Sequence, residues 1–462
     1  MISISIVFLF LLSASLPVIN SQKTNPEDEL NLEEEELYDL LIISPSKFKR
    51  ILNKLVDHKN SYGVKTNLVT LDYVYDCISF GNDDAEKIKL FIKNELEEHQ
   101  IKYVLLVGGR VGQLKRWYVP VRYVHTGNDY ELEFLSDYYF ADIYDSEGNF
   151  SSWDSDGDGK YSEWVYGQQP EDTDLDLTPD VAVGRLPVRN KLELRVIVNK
   201  IIKYEKTSYG KAWYNELLAI AGDTYPEYKN PLWVGYEGEE FADMIIENMT
   251  DFNATRLYTS DGTLTHWKDI VREYKKGWGF VYFAGHGSAM VWQTHFPNDK
   301  NRTKSFSTLH MPLLNNKDEL PVCVVGGCHN CQFDVTLLNL FDSKKLSHGE
   351  AIPECWGWTL TKKFRGGSIA TIGCTALGHT KEDKDSFEGG VDICEVEFFK
   401  EYAQNDVDII GDAWLKALDF YAKSYPVPWE DEELTNDSWV DMQIVQSWAL
   451  LGDPSLKMGG YP

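Results

Sequence analysis

The chain has 462 residues and sets 73 Asp plus Glu against 45 Lys plus Arg, a formal net charge of −28. Such acidity repels a nucleic-acid backbone, which argues against a nucleic-acid partner, and it suits solubility outside a cell and capture of Ca²⁺. The length exceeds one ordinary hydrophobic core, so at least two subdomains are expected.

The N-terminus opens on the apolar run Ile4 to Leu12, turns small and polar at Ser13 to Ser21, and is acidic from Glu27 to Glu36. This predicts a signal peptide over residues 1–21, with no Lys or Arg before its apolar run, and an acidic leader or short propeptide over 22–37. The run is too short to span a bilayer comfortably and no later stretch approaches a span. A secreted or cell-surface protein with no stable membrane span after signal removal is expected.

Tyr38 to Ser44 then reads as a buried strand, Pro45 to His58 as a helix, Asn67 to Leu71 as a strand and Asp83 to Glu98 as an amphipathic helix. Tyr103 to Val107 is a third strand, followed by Gly108-Gly109. That turn mimics a dinucleotide loop but lacks the full glycine spacing. Residues 118–178 are acidic and loop-rich. Asp180 to Arg185 is an edge-like strand, and Lys191 to Lys206 a helix.

The second half repeats this rhythm. Its strands are Glu216 to Ala221, Phe280 to Phe283, Val322 to Val325 and a buried stretch within Arg365 to Gly373; its helices are Gly238 to Asn248, Cys394 to Gln404 and Gly411 to Tyr425. Alternating strand and helix implies parallel sheets, so the expected fold is α/β, with two doubly wound subdomains side by side. The boundary is placed at Ser208-Tyr209-Gly210, giving subdomains 38–207 and 208–462.

Two strand ends carry chemistry. Ala284-Gly285-His286-Gly287-Ser288 closes one strand and Gly326-Gly327-Cys328-His329-Asn330 closes the next. Ligands of open α/β sheets bind beyond the carboxyl ends of the strands, so this His and this Cys are set to meet in one crevice. A thiol attacks as thiolate and needs an imidazole or a helix N-terminus to form it. The glycines permit tight turns whose exposed N–H groups can converge on one oxygen as an oxyanion hole.

Asp154-Ser155-Asp156-Gly157-Asp158-Gly159-Lys160-Tyr161-Ser162-Glu163 places oxygens at alternate positions like a Ca²⁺ loop. Its acid falls two positions early for an EF-hand and Val165 takes the usual glutamate position. A structural Ca²⁺ at Asp154, Asp156, Asp158, Lys160 and Glu163 is expected, with no organic cofactor. Seven Cys is an odd number for an exported chain and leaves at least one thiol unpaired. Cys331, in Cys328-His329-Asn330-Cys331, opens a redox or metal reading and a possible disulfide switch at Cys328.

Phe283 to Ser288 with Trp292, Gly327 to Asn330 with Phe333-Asp334, Leu451 to Leu456, Ser136 to Tyr139 and Pro179 to Pro187 resemble the gingipain-like cysteine peptidases, over roughly residues 38 to 458. That family belongs to the caspase and legumain clan. The resemblance implies a supporting first subdomain and a caspase-like catalytic second one. It also implies Cys328 as nucleophile, His286 as general acid/base, the N–H groups of Gly287 and Cys328 as oxyanion hole, and Asp223 as the acid orienting the His.

By the same resemblance an acid between Asp223 and the next helix would select Arg or Lys, for which Glu237, with Glu239 and Glu240 beside it, is the candidate; Trp292 is a candidate pocket wall. The implied function is a cysteine endopeptidase acting on peptide or protein substrates through an acyl-enzyme. Two alternatives stay open: a transpeptidase or ligase of the same fold, and an inactive calcium-binding extracellular protein.

Overall fold

The computed structural model describes residues 37–127, 131–165, 168–227, 235–380, 389–427, 429 and 436–462. The signal-peptide and leader expectations for residues 1–36 lie outside the described residues.

Leu40–Ser44 and Tyr103–Val107 are apolar runs buried at every position, as strands covered by helices on both faces must be. They form the centre of a four-stranded sheet ordered Thr66–Thr70, Leu40–Ser44, Tyr103–Val107, Ala182–Leu186, all parallel. Two helices of this half begin on side-chain caps. Asp83 accepts the Glu86 N–H to start Asp84–His99, and Asn190 accepts those of Leu192 and Glu193 to start Lys191–Thr207.

The second sheet has six strands in the order Trp448–Leu451, Ala370–Cys374, Val322–Val325, Phe280–Phe283, Glu216–Ala221, Asn253–Tyr258. All pair in parallel except the edge strand Trp448–Leu451. That edge approaches Ala182–Leu186 of the first sheet closely: a Cβ on Gly184 would lie 2.6 Å from the Gly452 carbonyl oxygen. Leu37–Pro462 is one compact unit, and one apolar cluster runs through both sheets. A second cluster, including Val281, Phe283, Trp292 and Trp356, covers the other face of the six-stranded sheet. Lys59, fully buried, ties helix Lys49–Ser61 to the C-terminal segment through Glu205 (2.7 Å) and Asp453 (2.9 Å).

The fold is α/β as expected, with local differences. The loop-rich stretch 118–178 contains a three-stranded sheet of Arg122–Thr126, Glu133–Ser136 and Tyr161–Trp164 around the buried Trp153 and Trp164. These strands are too short and too polar for alternation to show. The strand expected within 365–373 is Ala370–Cys374, because Gly366 and Gly367, at φ +128° and +77°, turn the chain before it. Among the described residues no helix is long and apolar enough to cross a membrane.

Candidate active site

Phe283 pairs with Val325 across adjacent parallel strands, so His286 and Cys328, each three residues on, leave the sheet at the same level. The two turns that carry them touch. A Cβ on Gly287 would lie 2.5 Å from the Cys328 carbonyl oxygen, and one on Gly327 would lie 3.0 Å from the Gly287 Cα. Only hydrogen side chains allow that approach. Asn330, fully buried, clamps the pair: its Nδ2 donates to the carbonyls of Ser288 (2.8 Å) and Val291 (3.0 Å). His329, at φ +57°, reverses the chain directly after Cys328.

His286–Gly287 forms an antiparallel hairpin with Val291–Gln293, with His286 opposite Gln293. Ser288 N–H donates to Val291 O at 2.9 Å, and hydrogen-bonded pairs alternate along such a ladder. Gly287 therefore occupies a non-hydrogen-bonded position with its N–H turned from the hairpin, and its nitrogen would lie 3.1 Å from a Cβ on Gly327. His286 Nε2 is 2.9 Å from the Thr224 carbonyl oxygen. A carbonyl only accepts, so Nε2 carries the hydrogen and Nδ1 is the basic nitrogen. Tyr225 and His295 meet the imidazole edge-on, with ring centroids 6.0 and 5.2 Å away.

Cys328 is partly exposed. Its Sγ lies 3.5 Å from Gly378 O and accepts the Gly378 N–H at 3.4 Å. Burial pushes the thiol above its ordinary value, the Gly378 N–H opposes this, and the carboxylates of Glu131 and Asp392 add to it. The sulfur is thus held toward its thiol form.

Asp223 ends the Glu216–Ala221 segment, is 1% exposed, and accepts the Asn298 N–H at 2.6 Å. It directly precedes Thr224, whose carbonyl holds His286. Glu237 opens helix Glu237–Asn248, and its Oε2 accepts the Tyr225 N–H at 3.1 Å. Burial, with Asp223 and Glu240 nearby, pushes its carboxyl up to about 7. Trp292 is 1% exposed, with its ring on Phe283 (5.1 Å). It lies in the aromatic core and backs the hairpin rather than walling an open pocket.

Three further groups reach this crest, two of them without a sequence signal. Tyr225 Oη bonds Thr380 Oγ1 at 3.2 Å, and Thr380 Oγ1 donates to Asp392 Oδ2 at 2.7 Å. Glu131 Oε2 accepts from Leu377 N–H (3.2 Å) and from Gln443 Nε2 (2.9 Å), steadying the strip that touches Cys328. Burial pushes Glu131 up to about 8 and Asp392 to about 6. Asp392, an acid in the otherwise apolar stretch Val391-Asp392-Ile393-Cys394, was the one discernible clue.

Cys331 is fully buried, with its Sγ packed where Cβ atoms on Gly357 and Gly373 would sit, at 2.7 and 3.3 Å, while Cys328 rests on Gly378. All seven cysteines are free. In the acidic loop the carboxylates of Asp154, Asp156 and Asp158 come within 4.8 Å of one another. Glu163, expected to join them, pairs instead with Lys160 Nζ at 2.7 Å, and the same ammonium is 3.1 Å from Asp158 Oδ2. Asp172 braces the loop by accepting the N–H groups of Ser155 (2.6 Å) and Glu163 (2.8 Å).

A parallel α/β core with a His turn and a Cys turn on adjacent strand ends is the architecture of the caspase-like clan. Solved structures with the same fold include the Arg specific cysteine proteinase gingipain R (RgpB), with a TM-score of 0.62 and 18% identity, covering 92% of this chain and 79% of that one. A complex of the pro- and mature domains of Porphyromonas gingivalis RgpB aligns with a TM-score of 0.61 and 17% identity, over 91% and 79% of the two chains. Residues 33–459 match Peptidase family C25, and the chain belongs to this family of gingipain-like cysteine peptidases. Gingipain R2 of Porphyromonas gingivalis is 23% identical over 307 residues, 65% of this chain and 33% of that protein. An uncharacterized protein of Archaeoglobus fulgidus is 25% identical over 266 residues, 53% of this chain and 60% of its own length. The chain thus spans between 14% and 33% of the length of the gingipain R relatives it matches.

Proposed function

We propose that this protein is an active, exported cysteine endopeptidase. Cys328 Sγ attacks the scissile carbonyl carbon as His286 Nδ1 takes the thiol proton, and the carbonyl π electrons move onto oxygen between the N–H groups of Gly287 and Cys328. As the carbonyl re-forms the C–N bond breaks, and the imidazolium gives its proton to the leaving amine, leaving a thioester on Cys328. Water, deprotonated by His286, then releases the acid and restores the thiol. Asp223 and the Thr224 carbonyl hold the imidazole in its tautomer.

The observation that carries this reading is the interlock of Gly287 with Gly327 and Cys328, which brings the two reactive turns together. Membership of a cysteine peptidase family supports it. Two relatives are named for Arg specificity and as Lys-gingipain, and an acid in the corresponding segment, Glu237, supports the same preference for a basic residue before the cleaved bond here. The three clustered aspartates support one structural Ca²⁺ at Asp154, Asp156 and Asp158, with Lys160 contributing only its carbonyl, since its ammonium is turned to Glu163.

The test is labelling with an irreversible thiol-directed peptidyl inhibitor carrying Arg or Lys next to the reactive group. Wild type is expected to label at Cys328, whereas Cys328→Ala and His286→Ala are not. Equal labelling of wild type and Cys328→Ala would overturn the reading. Labelling independent of the basic residue would overturn only the role of Glu237.

A further inference from the structure

At the opposite end of the strands from Cys328 lies a cavity of about 820 Å³ between helix Lys191–Thr207 and the segments leading into strands Val322–Val325 and Ala370–Cys374. The intervening strand is four residues long, which separates this cavity from the nucleophile by about 13 Å of sheet. It is therefore no part of the site described above.

The helix contributes Leu192, Arg195, Val196, Asn199, Lys200 and Lys203. These positions recur at intervals of three and four, so a single face of the helix forms the wall. Lys317 and Asp318 come from one opposing segment and Phe364 and Arg365 from the other. Five cationic side chains, Arg195, Lys200, Lys203, Lys317 and Arg365, thus face one space, and among the described residues lining it Asp318 is the only carboxylate. Asp318 pairs with Lys203 at 2.5 Å. In a chain of net charge −28 this is a concentrated reversal of sign.

The floor is tied down by one lysine. Lys200 Nζ lies within hydrogen-bond reach of four backbone carbonyls, Thr361 (2.5 Å), Lys363 (3.2 Å), Gly366 (3.0 Å) and Ser368 (2.8 Å). This fastens the helix to the loop that carries Phe364 and Arg365 without a carboxylate. Burial, with Lys363 nearby, pulls its ammonium down to about 7, so Lys200 anchors the floor and leaves the charge of the cavity to the residues at its walls. A concave wall of low dielectric focuses such a potential, and the planar fork of an Arg matches an oxyanion in two hydrogen bonds. At the rim Phe364 and Leu192 are 66% and 67% exposed, offering apolar contact to the body of a ligand. The volume is that of a small-molecule pocket rather than of a macromolecular groove.

We infer that the cavity between helix Lys191–Thr207 and the loops at Lys317 and Arg365 is a binding site for a small, multiply charged oxyanion, a phosphorylated or sulfated molecule. Arg195, Lys317 and Arg365 supply its charge contacts, while Lys200 fixes the floor and Lys203 with Asp318 forms the gate. The inference is independent of the peptidase reading.

Isothermal titration calorimetry of the full chain, at about 100 mM NaCl without divalent cations, tests it with two probes. These are tripolyphosphate and a trisulfated heparin-derived disaccharide, whose relative affinities separate phosphate from sulfate as the natural chemistry. One-to-one binding of at least one probe is expected. The double variant Arg195→Glu, Lys317→Glu, with both positions exposed, is expected to weaken it by at least about tenfold with an unchanged melting temperature. Arg365→Gln is a second, independent variant expected to weaken binding in the same direction. No heat with either probe at about 1 mM, or equal binding by wild type and both variants, would overturn the proposal.

Discussion

The Tyr103–Val107 strand of the first sheet and the Val322–Val325 strand of the second both end in a glycine pair, yet only one of these ends is left open. At the first, a Cβ on Gly109 would lie 2.4 Å from the Pro187 carbonyl oxygen, and Gly108 O accepts from Arg185 Nη1 at 2.9 Å. Arg185, fully buried, also bonds Asp137 Oδ1 at 2.7 Å, and the next residue, Arg110, reaches Asp334 O at 2.5 Å. At the second, the turn against Gly327 carries His286 and the next residue is a partly exposed thiol. The glycine pair supplies close approach in both places. A guanidinium, always charged, then glues one half of the chain to the other, whereas an imidazole and a thiol can exchange a proton.

The sharpest way to break this comparison is to add one methyl group at each end. Gly287→Ala is expected to cut peptidase turnover on the order of 100-fold or more, by driving the two reactive turns apart. Gly109→Ala is expected to lower stability by about 1–3 kcal/mol in urea unfolding while leaving turnover per folded molecule unchanged. The reverse result would mean that the first strand end, not the second, sets the chemistry. A smaller effect is expected from calcium: chelation should lower the melting temperature while Cys328 alkylation in the still-folded protein keeps its rate. An unchanged melting temperature would remove the metal from the Asp154 loop.

Much of this was legible before the coordinates. Val322-Cys323-Val324-Val325 stops at Gly326, and four buried apolar residues followed by glycine leave a fully covered strand little alternative. The pairing of the Cys and His turns followed from strand order alone. Glu131 and Thr380 were not legible. Tertiary folding sets Glu131 beside the Cys328 thiol and Thr380 between Tyr225 and Asp392, one from a stretch with no periodic pattern and the other from the end of a loop, and neither carries a local motif. The burial of Trp292 is not legible because its position just after the His motif says nothing about which face of a three-residue strand points to the core. The pairing of Glu163 is not legible because loop spacing ignores a lysine three residues away that competes for the same carboxylate.

Finer effects follow from the acids around the crest. Glu131→Gln removes a carboxylate that holds the Cys328 thiol up, so the midpoint of iodoacetamide alkylation against pH is expected to fall. No change would detach Glu131 from the nucleophile. Glu131, Glu237 and Glu350 are pushed up to about 8, 7 and 7, and Asp392 to about 6, chiefly by burial. Each keeps its proton in the folded chain at pH values where the unfolded chain has released it. Stability from these groups is therefore largest in acid and lost as pH rises from about 4 to 8, and Glu131→Gln with Glu350→Gln should flatten the fall of the melting temperature over the upper part of that window.

Asn330 has a mechanical consequence. By bonding two carbonyls of the His286 hairpin from within the Cys328 turn, it makes the two turns parts of one rigid body. Breathing of the surrounding walls moves both together, so their separation is insulated from thermal noise elsewhere. On the other side the His329 N–H donates to the Ala376 carbonyl at 2.8 Å, so the 376–380 strip is held to the Cys328 turn by backbone as well as by the sulfur contacts of 3.4 and 3.5 Å.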